Sequence, residues 1–379
     1  MQPSLDKVRN VFLFIRERAL LCLIIVIGLI GVHGCAMLET DIPKEKSKKY
    51  QLIWPAPPDQ PRFKFEGILR SAADILPKTL DFDLKQEVTG KVVISDKPVI
   101  NKPSGIAVRN GLVYVAEPTI KAITVFDLSR RKLFRFGLRE PNALKLPQAI
   151  ALDAAGLVYV LDSLARKVVV FDSLGLFVND INFEKTAFSN PVAVAVSPDG
   201  NTVYIVDRGD IANNEHKVVA LAPDGKERFR IGPRGSENGQ FNIPLAATVG
   251  ADGALYVVDA GNFRVQVFDA SGKFKRVFGG VGSELGRFSR PRSIALDNEG
   301  NVYVSDNAFN NVQIFNAEGQ LLMPLGNISH EAGPGNFSLI SAIAVDEANR
   351  LYVTDNYFKK IEIYSRIPDV ESKRPMLSR

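Results

Sequence analysis

A hydrophobic triplet with a central tyrosine recurs along the chain, with 45 to 52 residues between successive tyrosines. A small residue in an apolar run stands about eight residues before each tyrosine. The triplets are Val113-Tyr114-Val115, Val158-Tyr159-Val160, Val203-Tyr204-Ile205, Leu255-Tyr256-Val257, Val302-Tyr303-Val304 and Leu351-Tyr352-Val353, and the small residues are Ala107, Ala151, Ala195, Thr248, Ala295 and Ala344. Short apolar runs rich in β-branched and aromatic residues predict buried strands.

Further β-rich runs follow each triplet, and turn signals such as Asp199-Gly200 and Asp252-Gly253 separate the runs. No helical period appears. The third runs include 168–171, 265–268, 312–315 and 361–364, and the fourth runs are 132–136, 176–181, 228–231, 274–278 and 321–325. Four strands in a unit of about 45 residues are typical of a propeller blade. The sequence therefore predicts an all-β, six-bladed β-propeller over residues 62–366.

One repeat carries a family resemblance. The segment RPRSIALDNEGNVYVSDNAFNNVQIFNAEGQ, from Arg290 to Gln320, resembles the NHL repeat, and the unit around Tyr256 is nearly as close. The resemblance implies a propeller that binds proteins, RNA or other ligands. It also implies an alternative, because some related six-bladed propellers are metal-dependent enzymes.

The last unit lacks a fourth run, because Pro368 and a polar tail over 367–379 follow residues 361–364. The run RFKFEGIL at 62–69 resembles the fourth-strand run KLFRFGL, which begins at Lys132. A propeller without closure would leave sheet edges unpaired. We therefore expect residues 62–69 to form the outermost strand of the final blade.

The N-terminus reads as a targeting segment. Basic residues precede an uncharged stretch at 19–34, which is shorter than the roughly 20 residues that span a membrane. The stretch ends in Val32-His33-Gly34-Cys35, which resembles a bacterial lipobox, although His33 stands where a small or hydroxyl residue is usual. We expect a lipoprotein signal peptide over 1–34 and lipidated Cys35 in the bacterial envelope, with the outer membrane favoured by Ala36. An uncleaved anchor is the alternative.

Cys22 and Cys35 are the two cysteines, so the propeller has no disulfide.

The charge limits the classes of partner that the protein can bind. The net charge is +5, and the leader itself carries an excess of basic residues, so the remainder is nearly neutral; with export, this argues against a nucleic-acid partner. Residues 35–61, with KEKSKK at 44–49 and a proline-rich run after Trp54, are predicted to be a tether, with docking by Trp54 as the alternative. We expect a monomer.

Candidate catalytic groups are sparse. An acid follows each triplet after one intervening residue: Glu117, Asp162, Asp207, Asp259, Asp306 and Asp355. We expect these acids to accept backbone N–H bonds in the following turn rather than to hold a metal. His216 and His330 are expected on solvated loops and have no partner at zinc-ligand spacing. No cofactor is expected, although calcium bound by scattered oxygens would leave no linear motif.

The binding face follows from strand order. In an up-and-down blade, the turn between the second and third strands and the connection to the next blade emerge at one end, here called the loop end. Long, dissimilar connections lie there, including the glycine-rich 232–241 and 279–288. The candidate binding residues are Arg139, Arg166, Arg234, Arg264, Arg287, Arg290 and Lys360.

These cations favour an acidic partner, namely an anionic glycan, a lipid headgroup or an acidic protein surface. A solvated basic rim is the alternative. Two function classes stay open: an envelope binding module, which we favour because no catalytic constellation is visible, and a metal-dependent hydrolase or lactonase.

The lipobox interpretation makes a direct prediction. Substituting Cys35→Ser should abolish incorporation of labelled palmitate, because the substitution removes the thiol that receives the lipid. Metabolic labelling of wild type and variant, compared at equal protein amounts, measures this. A labelled Cys35→Ser variant would contradict the assignment.

Overall fold

The computed structural model describes residues 52–75, 97–183, 188–210, 215–329 and 331–368. The predicted signal peptide, Cys35 and KEKSKK lie outside these ranges, as do His330 and residues 369–379. Within them, no helix combines the length and apolar character needed to cross a membrane. The strands are numbered β1 to β27 in chain order.

The strands form a six-bladed propeller, as predicted. The innermost strands of successive blades contact one another, and the last contacts the first, so the ring is closed. Blade 1 contains β3 (Gly105–Arg109), β4 (Leu112–Glu117), β5 (Ala122–Asp127) and β6 (Lys132–Phe136). Blade 2 contains β7 (Pro147–Leu152), β8 (Val158–Asp162), β9 (Lys167–Phe171) and β10 (Phe177–Asn182). Blade 3 contains β11 (Pro191–Val196), β12 (Val203–Asp207), β13 (Lys217–Leu221) and β14 (Glu227–Ile231).

The remaining blades follow the same antiparallel order. Blade 4 contains β15 (Pro244–Val249), β16 (Leu255–Asp259), β17 (Arg264–Phe268) and β18 (Phe274–Gly279). Blade 5 contains β19 (Pro291–Leu296), β20 (Val302–Asp306), β21 (Asn311–Phe315) and β22 (Leu321–Leu325). Blade 6 begins with β25 (Ile340–Val345), β26 (Leu351–Asp355) and β27 (Lys360–Arg366). A short parallel pair, β23 (Asn327–Ile328) and β24 (Asn336–Phe337), lies in the connection from blade 5 to blade 6.

The core lies between neighbouring blades. Every residue of the second strands is buried, and one cluster joins Tyr303 and Ile314 of blade 5 to Ile343 and Val353 of blade 6. Full burial of each large apolar side chain contributes about 1.5–3 kcal/mol. The tyrosine hydroxyl needs a partner in this setting, and that of Tyr303 donates to Asp297 at 3.0 Å. Tyr159 and Tyr352 donate to Asp153 and Asp346 in the same way.

The N-terminal strand closes the ring. Strand β2 (Phe63–Leu69) pairs antiparallel with β27, with Phe63 opposite Arg366 and Leu69 opposite Ile361. This confirms that residues 62–69 complete the final blade. They are not its outermost strand, however, because β1 (Ile53–Trp54) pairs with the free edge of β2 and makes a fifth strand.

Trp54 anchors this added strand. Its ring meets Tyr364 edge to face, with centroids 5.2 Å apart, and its carbonyl accepts a hydrogen bond from the Arg62 N–H at 2.7 Å. Trp54 is therefore docked on blade 6, which was the alternative to its being part of a tether. The proline-rich run from 55 to 58 turns the chain between β1 and β2.

Closure makes blade 6 depend on residues distant in sequence. We predict that deleting residues 52–69 abolishes cooperative thermal unfolding, because the deletion exposes the edge of β27 and removes Phe63 from the core between blades 5 and 6. Circular dichroism melting of the full chain measures this, with deletion of residues 369–379 as the control. A deletion variant that melts like wild type would refute closure by this strand.

Candidate binding site

The repeated acids organise the loop end. Asp306 is buried and accepts hydrogen bonds from the backbone N–H groups of Ser289 at 2.8 Å, Arg290 at 3.0 Å and Ala308 at 2.8 Å. The first two donors belong to the connection that enters the blade, and the third belongs to the turn after the second strand. Equivalent bonds to entering connections are made by Glu117, Asp162, Asp207, Asp259 and Asp355. The predicted bonds to backbone N–H groups of the following turn are confirmed for Asp162, Asp207, Asp306 and Asp355. Glu117 instead accepts from the Thr124 hydroxyl, and Asp259 accepts from the Asn262 side chain. The bond to the entering connection is common to all six.

Metal binding by this ring has no support from geometry. Among the residues that the structure describes, no group of three or more His, Cys, Asp or Glu side chains is placed to hold a metal ion. The repeated carboxylates are directed at backbone donors of their own blades instead.

Three blade connections share one construction. A parallel bridge closes each loop, between Arg234 and Phe241, Val281 and Phe288, and Asn327 and Asn336. A side chain of the third strand holds each loop from below: Gln266 accepts from the Gly239 N–H at 2.9 Å, Gln313 from Gly286 at 2.7 Å and Glu362 from Gly335 at 3.0 Å. The loops are therefore fixed parts of the fold. They are not phosphate-binding turns at a helix start.

Two of the predicted binding cations hold these loops. Arg264 donates to Asp259 Oδ2 at 2.8 Å and to the Glu237 carbonyl at 2.9 Å, and its side chain is only 13% exposed. Lys360 is wholly buried; its ammonium donates to the carbonyls of Gly333 and Asn336 and to Glu362. The expectation that both lie on an accessible face is wrong. Each begins a third strand and points back beneath the connection, where carbonyls need donors.

The other five predicted cations are exposed at the loop end: Arg139, Arg166, Arg234, Arg287 and Arg290. Arg166 donates to the Phe188 carbonyl at 2.6 Å, and Arg287 donates to the Gly279 carbonyl at 2.8 Å. Arg287 and Arg290 share the connection between blades 4 and 5, whereas Arg139, Arg166 and Arg234 lie in other connections and turns, so the five form a basic rim rather than one cluster.

A β-bulge at the start of the inner strands builds the centre of this end. In blades 2 to 6, pairing with the second strand shifts between the first and third residues of the inner strand. The residues between are Gln148, Val192, Leu245, Arg292 and Ser341, and all of them line the mouth of the central channel. Bulges commonly redirect a side chain beside a functional site.

Sequence reasoning missed these residues, although a signal was present. The inner strands read PQAIAL, PVAVAV, PLAATV, PRSIAL and ISAIAV, and the second position varies in chemistry while the alternating apolar pattern persists. The position after the repeated acid varies too, and Ser163 and Arg208 at that position also reach the channel mouth.

Two connected hollows result. The channel mouth encloses about 270 Å³ and contains Arg208 and Arg292. A wider depression of about 670 Å³ runs outward across blades 4 to 6 and is lined by Ile243, Leu339 and Arg290. Leu245, Arg292 and Ser341 border both hollows.

His216 lies beneath the depression and is buried, so the expectation of a solvated loop histidine is wrong at this position. It is 5% exposed, and its Nδ1 accepts a hydrogen bond from the Ile243 N–H at 3.0 Å. The Phe241 carbonyl oxygen also lies 3.3 Å from this nitrogen. Burial lowers the pKa of His216 below its usual value and so favours the neutral ring. The bond from its N–H to this ring positions Ile243 at the rim of the depression.

Comparison with known proteins supports the repeat type. Residues 241–268 and 288–315 match the NHL repeat family model. NHL repeat-containing protein 3 of Homo sapiens is 37% identical over 82 residues, which are 22% of this chain and 23% of that protein. The chain thus spans about a quarter of the length of this relative and of its Mus musculus counterpart. The NHL repeats and the six-bladed ring predicted from the sequence are confirmed.

Solved structures share the fold at low identity. A protein of unknown function from Bacteroides thetaiotaomicron has a TM-score of 0.58 and 16% identity, covering 72% of this chain and 71% of that chain. A gluconolactonase from Xanthomonas campestris has a TM-score of 0.53 and 18% identity, covering 71% of this chain and 87% of that chain. These similarities establish the fold and no activity.

The loop-holding role of Arg264 yields a prediction. Arg264→Met should lower the free energy of unfolding by about 2–4 kcal/mol, because it leaves the buried Asp259 carboxylate and the Glu237 carbonyl short of a donor. Chemical denaturation measures the loss. Arg139→Met, at an exposed position, is the matched control and should stay within about 0.5 kcal/mol of wild type. Equal free energies of unfolding for the two variants would contradict the loop-holding role of Arg264.

Proposed function

We propose that this chain, whose NHL repeats build a six-bladed propeller, is a binding scaffold of the bacterial envelope that is anchored through Cys35 and engages a partner at the loop end. The observation that carries the proposal is the variation at the bulge residues. A rigid, repeated framework presents unlike side chains at one end, and binding residues concentrate at such places on propellers and other scaffolds.

The wide depression supplies the contact surface. Ile243 and Leu339 are 43% and 47% exposed along it, and Arg290 stands beside them. Exposed apolar side chains next to an arginine suit a protein segment that places an acidic residue beside an apolar one. An acidic protein surface is therefore favoured over a glycan or a lipid headgroup, which offer no apolar side chain to the depression.

The anchoring part of the proposal rests on the leader and the lipobox-like Val32-His33-Gly34-Cys35. A lipid on Cys35 would hold the propeller at a membrane surface, where a partner in the envelope could reach its loop end.

The alternative function is a calcium-dependent hydrolase or lactonase. Measuring the metal content of the purified chain distinguishes it from the scaffold. The repeated carboxylates already accept backbone hydrogen bonds, which favours the scaffold. A stoichiometric divalent ion retained by the purified chain would favour the enzyme.

We predict that the double variant Arg287→Glu, Arg290→Glu captures its envelope partner at least ten-fold more weakly than wild type, with a weaker dependence on salt. Both side chains are exposed at the loop end, so the melting temperature should hardly change. Quantitative mass spectrometry of proteins captured from envelope extract over a salt series measures the effect.

The matched control is Arg131→Glu, Lys132→Glu, which reverses two exposed cations at the opposite end of blade 1. It should capture the partner like wild type. If both double variants lose capture equally, net charge rather than the loop end governs binding; if neither loses capture, the basic rim has no role.

A further inference from the structure

Two arginines line the channel mouth, and neither forms an ion pair with an acidic side chain of the described residues. Arg292 stands at the bulge of β19, and Arg208 follows Asp207 at the end of β12. None of the ion pairs formed within the described ranges includes either guanidinium. The adjacent Asp207 carboxylate instead accepts the backbone N–H groups of Ser189, Asn190 and Gly209.

Arg208 is held in place by a neutral group. With the Asn190 amide oriented so that both residues are satisfied, its oxygen accepts from Arg208 Nη2 at 3.0 Å and Nε at 3.2 Å. This contact positions the guanidinium and leaves its charge uncompensated. The remaining guanidinium nitrogen of Arg208 is left for another acceptor.

The environment of Arg292 is costly for a lone cation. Burial, and then the positive charge of Arg208, lower the pKa of Arg292. Arginine nevertheless stays protonated in proteins, so the half-buried Arg292 keeps its positive charge beside the exposed Arg208 at the channel mouth. The repulsion between the two charges and the partial burial of Arg292 cost free energy, which a bound anion would offset.

The cavity limits the size of that anion. At about 270 Å³ the channel mouth admits a small molecule and not a folded chain. Gln148, on the bulge of β7, adds an amide to the lining, while Val192 and Leu245 supply apolar walls. Guanidinium groups form bidentate, charge-assisted hydrogen bonds with carboxylate and phosphate oxygens, and neutral side chains cannot form such bonds.

We propose that the channel mouth is a binding site for a small, doubly charged oxyanion, with Arg292 and Arg208 as its charged ligands. The charge of two matches the two guanidinium groups, and both a phosphate and a small dicarboxylate carry it. The site goes beyond the proposed scaffold role and does not depend on it, because its occupant is a solute rather than a macromolecule.

Calorimetric titration of the full chain, solubilised in detergent, tests the site with inorganic phosphate and with succinate as separate probes. We expect saturable 1:1 binding of at least one dianion. Preference for phosphate or for succinate identifies the class of ligand, and binding of either supports the site. Failure of both probes to saturate would overturn it.

Variants assign the binding to these residues. Arg208→Gln should lower the affinity for the dianion at least ten-fold. Because Arg208 lines the channel mouth and not the depression, this variant tests the anion site alone. Arg292→Gln should weaken binding as much, and Arg292→Lys, which keeps the charge and loses the two-pronged geometry, should fall between. Undiminished affinity in Arg208→Gln and Arg292→Gln would refute the assignment.

Arg109→Gln is the matched control. Arg109 lines the opposite end of the same channel, where it hydrogen-bonds to the Ala154 carbonyl and lies near Glu347. Its replacement should leave dianion affinity unchanged. A loss equal to that in Arg208→Gln would show a general effect of positive charge rather than a site.

Discussion

The buried carboxylate at the end of each second strand is the interaction on which the loop end depends. In blade 6, Asp355 accepts N–H groups from Ser338, in the connection entering the blade, and from Tyr357, in the turn that leaves β26. Hydrogen bonds to an ionised acceptor are stronger than neutral ones, and a buried carboxylate without them would be costly. In blades 2, 3, 5 and 6 one side chain thus fixes both the entering connection and the turn after the second strand. All six acids fix an entering connection, so the connections can differ in length and chemistry.

Closure of the ring also depends on a few contacts, namely those between the N-terminal strands and blade 6. Residues 53–69 join a blade whose other strands lie more than 250 residues later in the chain, and β2 covers the edge of β27 that would otherwise be free. Loop-closure entropy grows slowly with length, so pairing ends that are this far apart adds little to the cost. The pairing of β2 with β27 in turn covers the cluster that contains Phe63 and Tyr364.

The blade framework was predictable because it repeats. The tyrosine triplet, the small inner residue and the Asp-Gly turns recur at nearly constant spacing, and RFKFEGIL could be placed by likeness to a fourth-strand run. The two-residue β1 carries no periodicity, so Trp54 was assigned to a tether with docking as the alternative.

The directions of individual side chains could not be read from the pattern. Arg264 and Lys360 looked like rim cations because they follow turns, yet they bind carbonyls of connections that fold over them. Arg208 and Arg292 are 84 positions apart in the sequence and meet only because the ring brings blades 3 and 5 to one axis. Comparing equivalent positions among the repeats, rather than searching for linear motifs, would have singled out Arg292.

The bulge at the start of the inner strand leaves one residue of that strand outside the strand pairing that holds the blade together. A residue outside the strand ladder contributes no pairing partner to its neighbour, so its side chain can change without altering register. Gln148, Val192, Leu245, Arg292 and Ser341 thus form a set of interchangeable positions around one opening. Substitutions at these five positions can therefore change the chemistry of the opening while the strand register of the ring is kept.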